Sequence, residues 1–150
     1  MEVITESLTN EDVASRQLDR AISLFLDEKD FVSSITLAGA AEEILGKLVK
    51  NNNMSHALED IIESALLLNE ICPEGVEAPK ARKEIAKVAN YYKNRMKHYN
   101  ESGGMVLSTD YFAADIIDRA ISNYWMLKTS ETDLMRRFRE EVLMKEPGNA

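Results

Sequence analysis

Ile85-Ala86-Lys87-Val88-Ala89-Asn90-Tyr91-Tyr92-Lys93-Asn94-Arg95-Met96-Lys97-His98-Tyr99 is the stretch on which the reading of this chain turns. Ile85, Val88, Ala89, Tyr92, Met96 and Tyr99 recur at i, i+3, i+4, i+7, i+11 and i+14, the spacing of a helix with one face on a core. At about 100° per residue, Lys87, Tyr91, Asn94 and His98 fall together on the opposite side, away from that core. From Lys80 to His98 seven basic residues stand against Glu84 alone, in a chain whose net charge is −8. A general nucleic-acid binder is not expected from that total. A local basic helix on an acidic body, however, can attract phosphate at one place and repel it elsewhere. The plainer alternative is a solvated helix face paired with acidic neighbours.

Outward from this stretch, nearly every long segment carries the helical period, and no strand-like alternation is convincing. Helix one is expected over 10–27, opened by Thr9 with Asp12 three residues on, a capping box with Asp in place of Glu. Helix two is expected over 31–50 behind Asp30, with Ser33, Ser34, Gly39 and Ala40 allowing close approach of neighbours, so it belongs at the centre of a bundle. Asn51-Asn52-Asn53 reads as a turn, followed by a buried helix three over 55–71 with His56 on its surface. Pro79 lies in the first turn of helix four, read as continuous over 78–99 and stopped by Gly103-Gly104. Ser108 or Thr109 caps helix five, which runs to 127. Ser130 and Asp133 repeat the capping-box variant before helix six, which ends near 144.

The expectation is therefore an all-α antiparallel bundle of five to six helices, a single domain over 1–150 with frayed ends at 1–8 and 146–150. At 45% hydrophobic and 29% charged residues the chain can bury a core. Cys72 is the sole cysteine, which fits a reducing cytoplasm. The first residues lack the basic and apolar regions of a signal peptide, and no apolar run approaches the ~20 residues of a membrane span. No cofactor motif or phosphate-binding glycine loop occurs, and imidazole chemistry rests mainly on His98. Glu42 and Glu43 are adjacent carboxylates, read as solvated or ion-paired; a less favoured reading has them join His98 around a metal, and no metal site is expected.

Lys93-Asn94-Arg95-Met96-Lys97-His98 resembles the R-N-x-x-K-H form of the motif of the HEPN superfamily (higher eukaryotes and prokaryotes nucleotide-binding domains). Ala40-Ala41-Glu42 with Leu45 is similar to the A-A-E-x-x-L segment of an earlier helix in that superfamily. The resemblance covers most of the chain from Leu18 to Tyr124. It implies an HEPN-like bundle and, in active members, metal-independent RNA cleavage in a cleft between two subunits. His98 then takes the place of the proton-transferring histidine, Asn94 that of the polar residue, and Lys93 that of the arginine, losing the planar fork that grips two phosphate oxygens. On an unbroken helix Lys93 points about 140° away from His98. Lys87, Tyr91, Arg95 and Lys97 are the expected RNA- or ligand-binding neighbours, since an aromatic between cations can stack a base while lysines meet phosphates. The expected partner is a second copy through the Tyr91, Asn94 and His98 face, with RNA, nucleotide or another protein as further partners. The alternative is a non-catalytic homodimeric module, such as half of a toxin–antitoxin assembly, in which the same face serves packing alone.

Overall fold

A computed structural model describes residues 3–68, 75, 77–98 and 103–145. Among these residues every regular element is helical: α1 (Asn10–Ser23), α2 (Phe31–Asn51), α3 (Ala57–Leu68), α4 (Glu77–Ala89), α5 (Tyr91–Lys97), α6 (Thr109–Lys128) and α7 (Asp133–Phe138). Wide π turns extend α1 over Leu24–Glu28 and α7 over Arg139–Leu143. The all-α expectation holds, with seven helices rather than five or six. The expected frayed residues 1, 2 and 146–150, the end of helix three beyond Leu68, and Cys72 lie outside the described residues.

Local chemistry sets the starts. Thr9 Oγ1 accepts from the Asp12 amide at 3.1 Å while the Asp12 carboxylate accepts from the Thr9 amide at 2.9 Å, closing the predicted capping box. Asp30 caps α2 by accepting from the Ser33 amide at 3.1 Å. The cap of α7 is Thr132, whose Oγ1 accepts from the Met135 amide at 3.2 Å, rather than Ser130. The π turn after α1 carries three successive buried residues, Leu24, Phe25 and Leu26. Lys29, in the left-handed region at φ 56°, then ends it.

α2 is the central element, packed between α1 and α6, with Ile35, Ala38, Ala41 and Leu45 essentially inaccessible. Its small residues do what their size allows. Ser34 is buried and donates to the Ala21 carbonyl at 2.8 Å, and Gly39 lies under the aliphatic stem of Lys93. At one end Phe25 meets Phe31 and Phe138 edge to face, at centroid distances of 5.1 and 5.2 Å.

Two expectations are corrected. Helix four is not continuous: it breaks at Asn90 (φ −101°, ψ 4°). There Arg119 donates to the Ala89 carbonyl at 3.0 Å and to the Asn90 side chain at 2.9 Å. The break is thus held by a side chain from α6, because a helix end needs partners for its last carbonyls. The apolar stripe ahead of it does not face the main core either. α4 has no buried residue and Val88 is 74% exposed, because α4 packs chiefly on α3. α3 in turn buries only Ile62 and Leu66, leaving Leu67 and Leu68 exposed.

Candidate functional site

α5 brings the motif residues against α2, and α6 completes the site from behind. Glu42 of α2 is 3% exposed and both its carboxylate oxygens are engaged. Lys93 Nζ donates to Oε2 at 2.8 Å, and Arg119 donates to Oε1 at 2.8 Å. Lys93 and Arg119 are buried as well, so one carboxylate sits between two cations away from water. Such a charge is retained in an interior only when paired and hydrogen-bonded. Asp115 lies 3.9 Å from Arg119 on the solvent side, and burial pushes its carboxyl above the usual aspartate range despite that guanidinium. Asn123, fully buried, accepts from the Ala57 amide at 2.7 Å and donates to the Glu42 carbonyl at 3.4 Å, tying the start of α3 to α2 and α6.

In front of this cluster lies a polar cavity of about 380 Å³. Lys93, Asn90 and Asn94 line it from the α4–α5 side, Lys47 and Lys50 from α2, and His56 from the turn before α3. His56 is half-buried beside Gly46, not the surface residue expected. On the rim, Glu43 pairs with Lys47 at 3.3 Å and Lys97 at 3.4 Å. The Lys47 hydrogen bond, together with the Lys97 charge, holds the Glu43 carboxyl below its ordinary range.

The predicted residues divide into two groups. Asn94 and His98 remain neighbours on the exposed side, with the His98 amide donating to the Asn94 carbonyl at 3.2 Å. Lys87 and Tyr91 are exposed too, and Tyr91 meets Tyr92 edge to face at 5.0 Å. Lys93 points inward to Glu42 instead, as its angular offset from His98 implied. Arg95 donates to the Gly103 carbonyl at 3.1 Å, while its Nε and NH1 are buried with no hydrogen-bond partner among the described residues. Lys97 leans back toward Glu43. The metal reading of Glu42, Glu43 and His98 loses Glu42 to the two cations, and no group of three potential metal ligands comes together among the described residues.

Arg119 and Asn123 were missed by the sequence reading. Their signal was two polar residues four apart within the apolar run of α6, where a solvated face would not place them beside Ile116, Ala120 and Ile121. Compared with family models, with curated proteins and with solved structures, the chain matches none of them. No helix among the described residues is long and apolar enough to cross a membrane.

Proposed function

We propose that this chain is an HEPN-like protein that associates with RNA or nucleotide phosphate at the polar cavity and along the adjoining Asn94–His98 side. The observation that carries the reading is the charge arrangement at the cavity wall. Lys93, Lys47 and Lys50 line the cavity against Glu42 and Glu43, while Arg119, behind the wall, is shared between Glu42 and Asp115. A site of this kind suits phosphate oxygens, with Asn94 as hydrogen-bonding contact and Tyr91 as a stacking surface. Should the protein cleave RNA, His98 is the group suited to move protons near neutral pH. Lys93 would then act electrostatically from its anchored position, and its engagement with Glu42 makes cleavage weak. A homodimer through the exposed Tyr91, Asn94 and His98 face belongs to the same proposal. The non-catalytic module remains the second reading, favoured by Tyr91 standing 48% exposed beside Val88.

Anisotropy of labelled single-stranded RNA against salt tests this. The expected outcome is binding that weakens steeply with salt, and a Lys47→Glu/Lys50→Glu variant whose log–log salt slope is shallower by roughly 1.4, about 0.7 per lost phosphate contact. His98→Ala should retain binding and remove any cleavage. Binding unaffected by the double lysine change would overturn the placement of the site.

A further inference from the structure

We propose that the polar cavity takes a phosphate monoester, the terminal phosphate of a nucleotide, and that His56, Lys50 and Asn94 are the side chains that hold it. This rests on the phosphate reading of the cavity and names its ligand and its imidazole. His98, the histidine that the motif singles out, is not among the cavity's lining residues; His56 is, from the turn before α3. The backbone around His56 is fixed on both sides. Its carbonyl accepts from the Glu59 and Asp60 amides at 2.8 and 3.2 Å, and the next amide, that of Ala57, donates to the buried Asn123 at 2.7 Å. Gly46 leaves α2 bare beside the ring: a Cβ built there would lie 3.9 Å from the imidazole Cγ and Nδ1. The imidazole is therefore held at the wall by the fold.

Prior engagement selects the contact groups. Lys93 is held by Glu42, the Asn90 side chain by Arg119, and Lys47 by Glu43. Among the described residues the side chains of Lys50, His56 and Asn94 make no hydrogen bond or ion pair, so they are what the cavity offers a ligand. They come from α2, the turn before α3, and α5, so three elements converge on one group. Two of the three are basic. A phosphate monoester carries about −1.5 to −2 charge at neutral pH, whereas a phosphate within a strand carries about −1. Lys50 and His56 match the monoester, because a dianion beside an imidazole favours its charged form. Asn94 adds an amide N–H for a further phosphate oxygen. At about 380 Å³ the cavity also lies at the small end of the range for ligand pockets, which suits a nucleotide better than a strand.

Proton NMR of the full chain tests this, because its two histidines give two ring signals, assigned with His56→Gln and His98→Gln. Adenosine monophosphate in phosphate-free buffer is the first probe and inorganic phosphate the second. The His56 signal should move saturably with either probe while that of His98 stays. By calorimetry, His56→Gln and Lys50→Ala should each weaken the adenosine monophosphate Kd about tenfold or more, as loss of a charged hydrogen bond does; circular dichroism confirms that both variants stay helical. An unphosphorylated single-stranded RNA that moves the His56 signal as strongly would overturn the monoester assignment. Movement of the His98 signal alone would overturn the placement on His56 while sparing phosphate association on the Asn94–His98 side. RNA binding by anisotropy, with neither histidine moved by adenosine monophosphate or phosphate, would overturn this inference alone. Binding of neither RNA, nucleotide nor phosphate would overturn the reading beneath it as well.

Discussion

Replacing Glu42 by Gln tests whether one buried carboxylate holds three helices together. Its two oxygens take Lys93 and Arg119 at 2.8 Å each, and the three side chains are 4%, 8% and 5% exposed, so water cannot screen what remains. Gln keeps the shape but supplies one neutral oxygen, and turns an N–H donor toward a cation. Removing one partner of a buried pair costs about 3–5 kcal/mol. For a domain of this size that is a fall in Tm of about 6–20 °C, taking about 2–4 °C per kcal/mol. The control is Glu43→Gln on the rim, where Glu43 and Lys47 are 49% and 74% exposed and the pair contributes about 0–1 kcal/mol. Urea unfolding gives both values from the midpoint shift at constant slope. A loss below about 1 kcal/mol for Glu42→Gln, equal to that for Glu43→Gln, would show that the cations do not depend on this carboxylate. Replacing all three charged residues by apolar ones of similar volume should recover most of the loss, because the desolvation cost leaves with the charges.

Gly39→Ala would set a methyl carbon 2.6 Å from Lys93 Cγ and 2.7 Å from Cδ, on a stem whose far end is fixed by Glu42. Overpacking of about 1–3 kcal/mol should exceed the ~1 kcal/mol helix-propensity gain; a variant more stable than wild type in urea would contradict the close contact. Thr132→Ala removes the α7 cap at a cost of about 1 kcal/mol. It also removes the hydroxyl that donates to Asp19 at 2.7 Å. Burial already raises the Asp19 carboxyl and that hydroxyl opposes it, so the Asp19 titration followed by NMR should move further up in the variant. Asp118, on the exposed side of α6, has its carboxyl raised first by the protein packed around it and then by Asp115 one turn away. A group whose folded pKa is raised stabilises below its unfolded value and loses that contribution as pH rises through the folded one. Asp118→Asn should therefore melt higher than wild type at neutral pH, with the difference vanishing as pH falls below the ordinary aspartate range.

What was legible in the sequence was what depends on near neighbours. The Thr9–Asp12 box and the Asp30 cap span three residues, and helical spacing correctly put Lys87, Tyr91, Asn94 and His98 on the exposed side. The break at Asn90 was not legible, because a guanidinium from α6 stabilises it and no local residue demands it. Periodicity disclosed the apolar stripe of α4 but not what covers it; the same pattern serves a core face and a face left for a partner. The motif puts Lys93 in the place of the arginine, whereas the partner it actually meets, Glu42, lies 51 residues earlier on another helix. Such long-range ion pairs leave no spacing signature.

The Asn90 break also divides the molecule mechanically. Behind it, α5 is fastened by the Lys93–Glu42 pair and by Tyr92, stacked on Phe112 of α6 at 3.6 Å. Ahead of it, α4 has no buried anchor, and among the described side chains its last carbonyl is held by Arg119. α4 should therefore open more readily than α2 and α6, as a low-energy local unfolding unit. Amides of α4 should exchange with solvent far sooner than those of α2. The Asn90 joint, braced by Arg119, thus sets a weakly anchored helix against a firmly anchored one.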